Sequence, residues 1–250
     1  MLEKLRENER IDQLINEDLK IIQSSEFFSF GMDAVLLAKF PRIPKKGLIV
    51  DFCSGNGAVA LMASADSQAQ IKAIEIQKTL ADMTQRSVAL NHLESQIEVI
   101  ADDLKNSKNY LKASTVDLIL CNPPYFKVSE VKQQNEKSTL TIARHELMIK
   151  FEEICQIAQQ LLKPGGHFCL VHRPDRFFEL MENLQYYHLQ PKRIQFVYPK
   201  LKESANLILL DCIKDGKQGG EIFLPPLFVY QEIGEYSEDL REIYYGKVSR

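Results

Sequence analysis

Four groups of residues combine types and spacing that can do chemistry. In D-F-C-S-G-N-G-A-V-A, Gly55, Gly57 and Ala60 fit the pattern G-x-G-x-x-G/A. Gly55 permits a tight turn, and Gly57 removes a side chain where a ligand must approach the backbone. Glu75 follows at about the 20-residue distance at which a carboxylate reaches both hydroxyls of a ribose. Asp51 stands just ahead of the glycines, and Asp102-Asp103 form another acidic pair further on. Last, the apolar run L-I-L-C ends in Asn122-Pro123-Pro124-Tyr125. Prolines cannot continue a ladder, so a turn accounts for Pro123 and Pro124. It leaves unexplained why an amide and an aromatic ring bracket them.

Alternating elements must position these groups. Strands are expected at 47–54, 71–76, 97–104, 116–121, 167–173, 192–198 and 205–213. Helices are expected at 57–65, 78–93, 151–166 (stopped by Pro-Gly-Gly) and 175–187. Short apolar runs alternating with helices imply an α/β, doubly wound, Rossmann-like sheet: seven strands, mostly parallel, with helices on both faces. Only P-K-L-K-E-S separates the last two strands, so the sheet ends in an antiparallel C-terminal pair. The stretch 128–142 is polar, without a firm period, and reads as a mobile loop beside the Asn-Pro-Pro-Tyr motif. The whole reads as one globular domain, 46–250, with an N-terminal segment, 1–45. In this frame Asp51, Glu75 and Asp102-Asp103 end three successive strands. NAD and S-adenosylmethionine both carry an adenosine ribose, but an acid at Asp51 would repel a pyrophosphate and favour a cationic ligand.

The 250 residues are 45% hydrophobic and 26% charged, enough for one sizeable core. The charged N-terminus lacks the apolar region of a secretory signal, and no apolar run approaches a bilayer span, so a cytoplasmic protein is expected. The five cysteines form no C-x-x-C pair and read as buried reduced thiols, with no metal. A net charge of −3 excludes a protein that coats nucleic acid through overall charge. A polyanion would need a local basic face, for which Arg173, Arg176, Lys192, Arg193, Lys200 and Lys202 are candidates; solvated surface charge is the alternative for each.

The order D-F-C-S-G-N-G, Glu75, Asp102-Asp103, N-P-P-Y resembles the class I S-adenosylmethionine-dependent methyltransferases. N-P-P-Y is similar to the (D/N/S)-P-P-(Y/F/W) signature of enzymes that methylate planar nitrogens. E-R-I-D-Q-L, I-I-Q-S-S-E-F-F-S-F-G-M-D-A-V-L-L-A, R-H-E, L-L-K-P-G-G and P-P-L-F-V-Y resemble one subfamily over nearly the whole chain. These are the bacterial tRNA adenine-N6 methyltransferases that act on adenine 37, just 3′ of the anticodon, in tRNA1(Val). The resemblance implies S-adenosylmethionine as donor, S-adenosylhomocysteine as product, tRNA as partner, and Phe30 and Asp33 packing with the N-terminal segment over the cofactor. The family usually has Leu and Gly where this chain has Phe52 and Cys53, which makes the backbone there less free.

An exocyclic aromatic amine is a poor nucleophile because its lone pair is delocalised into the ring. Two acceptors on its two N–H bonds turn that lone pair toward the methyl and favour the charge that develops on nitrogen. The Asn122 side-chain oxygen and the Pro123 carbonyl are the expected acceptors, and Tyr125 would stack on the ring, with Phe126 widening the platform. Asn122 also faces the cofactor, and Arg144-His145-Glu146 is expected to order the loop. His145 and His172 read as structural. A glutamine methyltransferase acting on a release factor shares this logic, but only about 45 residues precede the first strand, too few for a recognition bundle. DNA or ribosomal RNA amino-methylation and a non-catalytic nucleotide-binding module are the other readings. A monomer is favoured.

Overall fold

The computed structural model describes residues 5–14, 19–27, 29–124, 149–232 and 234–246. It starts with an antiparallel hairpin, β1 (Glu9–Gln13) and β2 (Lys20–Ser24), followed by α1 (Met32–Lys39). The alternation then runs β3 (Leu48–Phe52), α2 (Ala58–Ala65), β4 (Gln70–Ile74), α3 (Lys78–Leu90), β5 (Ile97–Ile100) and β6 (Val116–Cys121). After α4 (Phe151–Leu161), β7 (Leu162–His172), α5 (Phe177–Tyr186), β8 (Leu189–Tyr198) and β9 (Leu207–Lys214) complete the main sheet. The C-terminal part adds β10 (Ile222–Phe223), β11 (Leu227–Phe228), a small pair β12 (Tyr230–Glu232) and β13 (Glu235–Tyr236), and α6 (Glu238–Tyr245).

Strand order in the main sheet is β10-β8-β9-β7-β6-β3-β4-β5, with β11 also on β8. Strands β3 to β7 pair in parallel. The chain winds outward from β3 to β5, then returns to place β6 and β7 on the other side of β3. Ligands bind at such a reversal, at the carboxyl ends of the strands.

Alternate residues of each strand feed two cores, as the two-residue period of a strand requires. Ile49, Ile71, Leu118, Leu120 and Val171 meet α1, α2 and α6 on one face; Val50, Phe52, Ile119, Phe168 and Leu170 meet α4 and α5 on the other. Helix α2 is apolar all round and buried on every side but its C-terminal end, where Ala65 is exposed. The N-terminal hairpin docks on α3. The Ile22 N–H donates to Ser87 Oγ at 2.9 Å, and the Asn91 amide pairs with both backbone groups of Lys20 at 2.8 and 2.6 Å. No helix among the described residues is long and apolar enough to cross a membrane.

The expected antiparallel C-terminal pair is present as β8 and β9, with β9 lying between β8 and β7 and antiparallel to both. Two features depart from expectation. Helix α4 stops at Leu161, and Lys163-Pro164-Gly165-Gly166 belongs to β7, where its register with β6 shifts between Val116 and Leu118. A Cβ on Gly166 would lie 2.9 Å from the Lys163 carbonyl, so the bulge requires glycine there. Finally, β10 and β11 extend the sheet in parallel with β8, the break between them spanning Pro225-Pro226, which lack the N–H a ladder needs.

Candidate active site

The glycine loop leaves β3 through residues in left-handed conformation: Cys53 at φ +56°, Gly55 at +57° and Gly57 at +82°. A Cβ on Gly55 would meet nothing within 4 Å, because this glycine faces an open cleft. A Cβ on Gly57 would lie 2.4 Å from Thr84 Cγ2. Gly57 is therefore required by the packing of α2 on α3; Gly55, rather than Gly57, is where a ligand can approach the backbone. Thr84 Oγ1 donates to the Gly55 carbonyl at 3.0 Å and fixes the loop from behind. Cys53 adopts its positive φ without a glycine's freedom, at a cost of about 1–2 kcal/mol.

The acidic positions have distinct settings. Glu75, directly after β4, is buried. Its Oε2 accepts the Gly55 N–H at 2.8 Å and Oε1 accepts the Gln77 N–H at 2.9 Å. Burial raises its pKa against the opposing pull of these backbone bonds. A carboxylate can accept about four hydrogen bonds, so Glu75 is of the type that can serve both this loop and a ribose hydroxyl. Asp102 accepts from the Tyr110 hydroxyl at 2.5 Å, Asn106 Nδ2 at 2.9 Å and the Asp103 N–H at 2.7 Å, which hold its pKa below the usual carboxylate value. Asp103 Oδ1 caps the following 3-10 turn through the Lys105 N–H at 2.9 Å.

Asp51 is not at the lip of the cleft; only 1% of it is exposed. Burial pushes its carboxyl up to about 8, although the Ala60 N–H in the first turn of α2 bonds to it. Its Oδ2 has no hydrogen-bond partner among the described residues, and neither does the buried Ser54 Oγ. Ser54 escaped the sequence reading because a serine inside a glycine loop reads as turn chemistry.

Gly55, Glu75, Asp102, Asp103 and Asn122 line one cleft across the carboxyl ends of β3 to β6. Ile76 and Leu104 add lining that the sequence did not single out, and Cys53 and Pro124, noted there only for the backbone, line the cleft as well. Asn122 follows β6 directly, and its Nδ2 donates to Asp33 Oδ2 at 3.1 Å. Asp33 thus meets the Asn-Pro-Pro segment. Phe30 is half-buried against the core, with its N–H on Gln23 Oε1 at 3.1 Å. Tyr125, Phe126, the 128–142 stretch and Arg144-His145-Glu146 lie outside the described residues.

His172 is buried, its Nδ1 accepts the Arg173 N–H at 2.8 Å, and its ring meets Phe151 edge-on. Burial lowers its pKa to about 4, so it is neutral and structural. The basic candidates divide. Arg173 follows the carboxyl end of β7 and is exposed beside Asp175 at 3.8 Å. Lys200 and Lys202 follow β8, which runs in the same direction as β7, so they share the edge that carries Asn122. Lys200 pairs with Glu203 at 3.0 Å, and both side chains are exposed. Three candidates are corrected. Arg176 is forked onto Glu179 and largely covered. Arg193 lies over the Phe40 ring, donates to the Phe40 carbonyl at 3.1 Å and reaches the buried Asp211 at 3.4 Å. Lys192 Nζ donates to the Lys217 carbonyl at 2.5 Å and to the Gly219 carbonyl. These three side chains are engaged by contacts within the chain.

The strand order, the glycine loop tied to a buried acid, and the Asn-Pro-Pro segment at the reversal define a class I methyltransferase. The chain belongs to the methyltransferase small domain family, whose model matches residues 23–190. A tRNA1(Val) (adenine(37)-N6)-methyltransferase of Bacteroides fragilis is 30% identical over 217 residues, covering 86% of this chain and 90% of that protein. One of the same name from Shewanella halifaxensis is 33% identical over 139 residues, 56% of this chain; that match spans about half (55%) of the relative's length. Among solved structures, a predicted O-methyltransferase from Agrobacterium tumefaciens superposes with a TM-score of 0.68 at 21% identity, over 88% of this chain and 98% of that one. A putative transferase from Pyrococcus horikoshii gives 0.60 at 13% identity, over 84% and 74%. Both share the fold.

The methyl donor of this family is S-adenosylmethionine, and the residues fit it. Gly55 leaves room for its approach, Glu75 can accept from its ribose, and Asp51 and Ser54 hold buried polar atoms that lack partners beside the loop.

Proposed function

We propose that this protein methylates the N6 amine of adenine 37 in tRNA1(Val), in the cytoplasm, as a monomer. The observation that carries this reading is the position of Asn122. It stands in the cofactor cleft directly after β6, with its amide nitrogen donating to Asp33. The donor supplies an electrophilic methyl on a sulfonium. Glu75 holds the ribose, and Asp102 and Asp103 line the far end of the same cleft. The carboxylate of Asp51 balances the donor's positive charge. The N-terminal segment, 1–45 including Phe30, packs over the cofactor.

The amine's two N–H bonds are accepted by Asn122 Oδ1 and the Pro123 carbonyl, which turns its lone pair toward the methyl. Tyr125 stacks on the ring, with Phe126 beside it. The product ammonium is strongly acidic and loses its proton to water, so no strong base is required. An anticodon-loop adenine is unpaired and costs little to extract into such a cleft. Arg173, Lys200 and Lys202 contact its flanking phosphates.

Asn122→Ala tests the reading. Methyl transfer to unmodified tRNA falls by at least about 100-fold, while calorimetry finds S-adenosylmethionine affinity retained. Full transfer by this variant sinks the mechanism. Nucleoside analysis of labelled product from tRNA, DNA and release factor decides the substrate; label in glutamine or DNA overturns the assignment.

A further inference from the structure

We infer that Asp33 is a positioning residue for methyl transfer, acting through the Asn122 amide; this rests on the proposed function. Asp33 occupies the first turn of α1, where Oδ1 accepts the Ala34 N–H at 2.8 Å and Oδ2 accepts Asn122 Nδ2 at 3.1 Å. Helix α1 cannot yield easily, since Ala34, Val35, Leu36, Leu37 and Ala38 are all buried against α2 and the sheet. The carboxylate is therefore a fixed acceptor at a helix N-terminus, where negative charge is favoured.

A primary amide is nearly symmetric in shape but opposite in function at its two ends. With its nitrogen facing the target amine, Asn122 would set donor against donor and turn the substrate lone pair the wrong way. Asp33 selects the productive orientation, because a carboxylate accepts and never donates. Donation from Nδ2 also polarises the amide and makes its oxygen a stronger acceptor. The charge on Asp33 further favours the positive charge that develops on the amine. The role differs from a cofactor contact: it predicts lost turnover with unchanged donor affinity.

A reciprocal exchange separates the two roles. In Asp33→Asn, the new amide oxygen keeps the Ala34 N–H and the new NH2 faces Asn122, so the bond within the first turn of α1 survives while the Asn122 oxygen is drawn away from the substrate. The expected kcat loss is about 100-fold, with donor Kd and melting temperature close to wild type. Asn122→Asp alone sets two carboxylates against each other and is also impaired. The double variant Asp33→Asn/Asn122→Asp restores the hydrogen bond with donor and acceptor exchanged, and recovers at least about tenfold of the lost kcat.

Full kcat in Asp33→Asn, a loss that follows weakened donor binding, or a double variant no better than the worse single would each overturn the inference. If the wild type methylates no RNA, the proposed function fails instead. The hydrogen bond is then read from the Asn122 side-chain NH2 resonances. They must shift in Asp33→Asn by more than other asparagine amides; no shift overturns the inference in that case as well.

Discussion

At the scale of single residues, the site concentrates its tension in Asp51. A carboxyl raised from 3.8 to about 8 binds more protons folded than unfolded. Stability linked to it is therefore fully present at low pH and is lost as pH climbs from about 4 to about 8. Asp51→Asn removes the ionisation, so the ligand-free variant should melt higher than wild type at pH 8, with the gap closing toward pH 5. A melting series across that range checks this; a gap that widens toward low pH contradicts it. The same group should ionise when the cationic donor arrives. At pH 7 wild type should release up to about one proton per donor bound, read by calorimetry in two buffers of different ionisation heat. Asp51→Asn should release fewer and bind more weakly. Stability is thus set against function at one buried atom.

At the scale of elements, the N-terminal hairpin is held to α3 by a fork. Arg86 Nη1 and Nη2 meet both Glu9 oxygens at 2.7 and 2.6 Å, and its Nε reaches Asp82 at 2.9 Å. The bond to Arg86 holds Glu9 below the usual 4.5, so this contribution is present above that value and is lost as pH falls below it. Glu9→Ala should cost about 2 kcal/mol in urea unfolding at pH 7, less than a fully buried pair would lose because Asp82 still engages Arg86. The cost should shrink below pH 4; an undiminished cost at pH 3 contradicts the clamp. The docking of the hairpin was not legible in E-R-I-D-Q-L, because the residues it docks on lie on a helix far along the chain. By contrast β6 spans Val116–Cys121 as read, since a buried parallel strand is an unbroken apolar run. Helix α4 was overextended because Pro-Gly-Gly looks like a helix stop, whereas the turn is absorbed as a bulge inside β7. The two-residue strands β10 and β11 carry no period at all, so only the free edge of β8 creates them. Glycine spacing exposed the loop, but not that Gly57 answers to Thr84.

At the scale of the whole molecule, a chain of net charge −3 must present RNA with a local edge. Lys192 and Arg193 were attractive in sequence because charge is visible there and partners are not; Asp211, Phe40 and Gly219 consume them. What remains is the carboxyl edge, with Arg173 after β7 and Lys202 after β8. Two apolar side chains stand exposed there, Phe178 at 85% and Leu201 at 68%. Phosphate contacts and base stacking respond differently to salt, so the two can be separated. Arg173→Ala/Lys202→Ala should weaken tRNA binding and reduce the slope of log K against log salt by about 1.4, two single-strand phosphate contacts. Phe178→Ala should cost about 1–3 kcal/mol of affinity with the slope unchanged, as lost stacking on an unpaired base requires. Arg193→Ala should lower the melting temperature, by removing the cation on the Phe40 ring and one of the two charged partners of the buried Asp211, whose other partner is His167, and leave the slope alone. A slope that follows Arg193 instead of Arg173 and Lys202 would move the RNA to the opposite end of the sheet, away from Asn122, and with it the whole geometry of transfer.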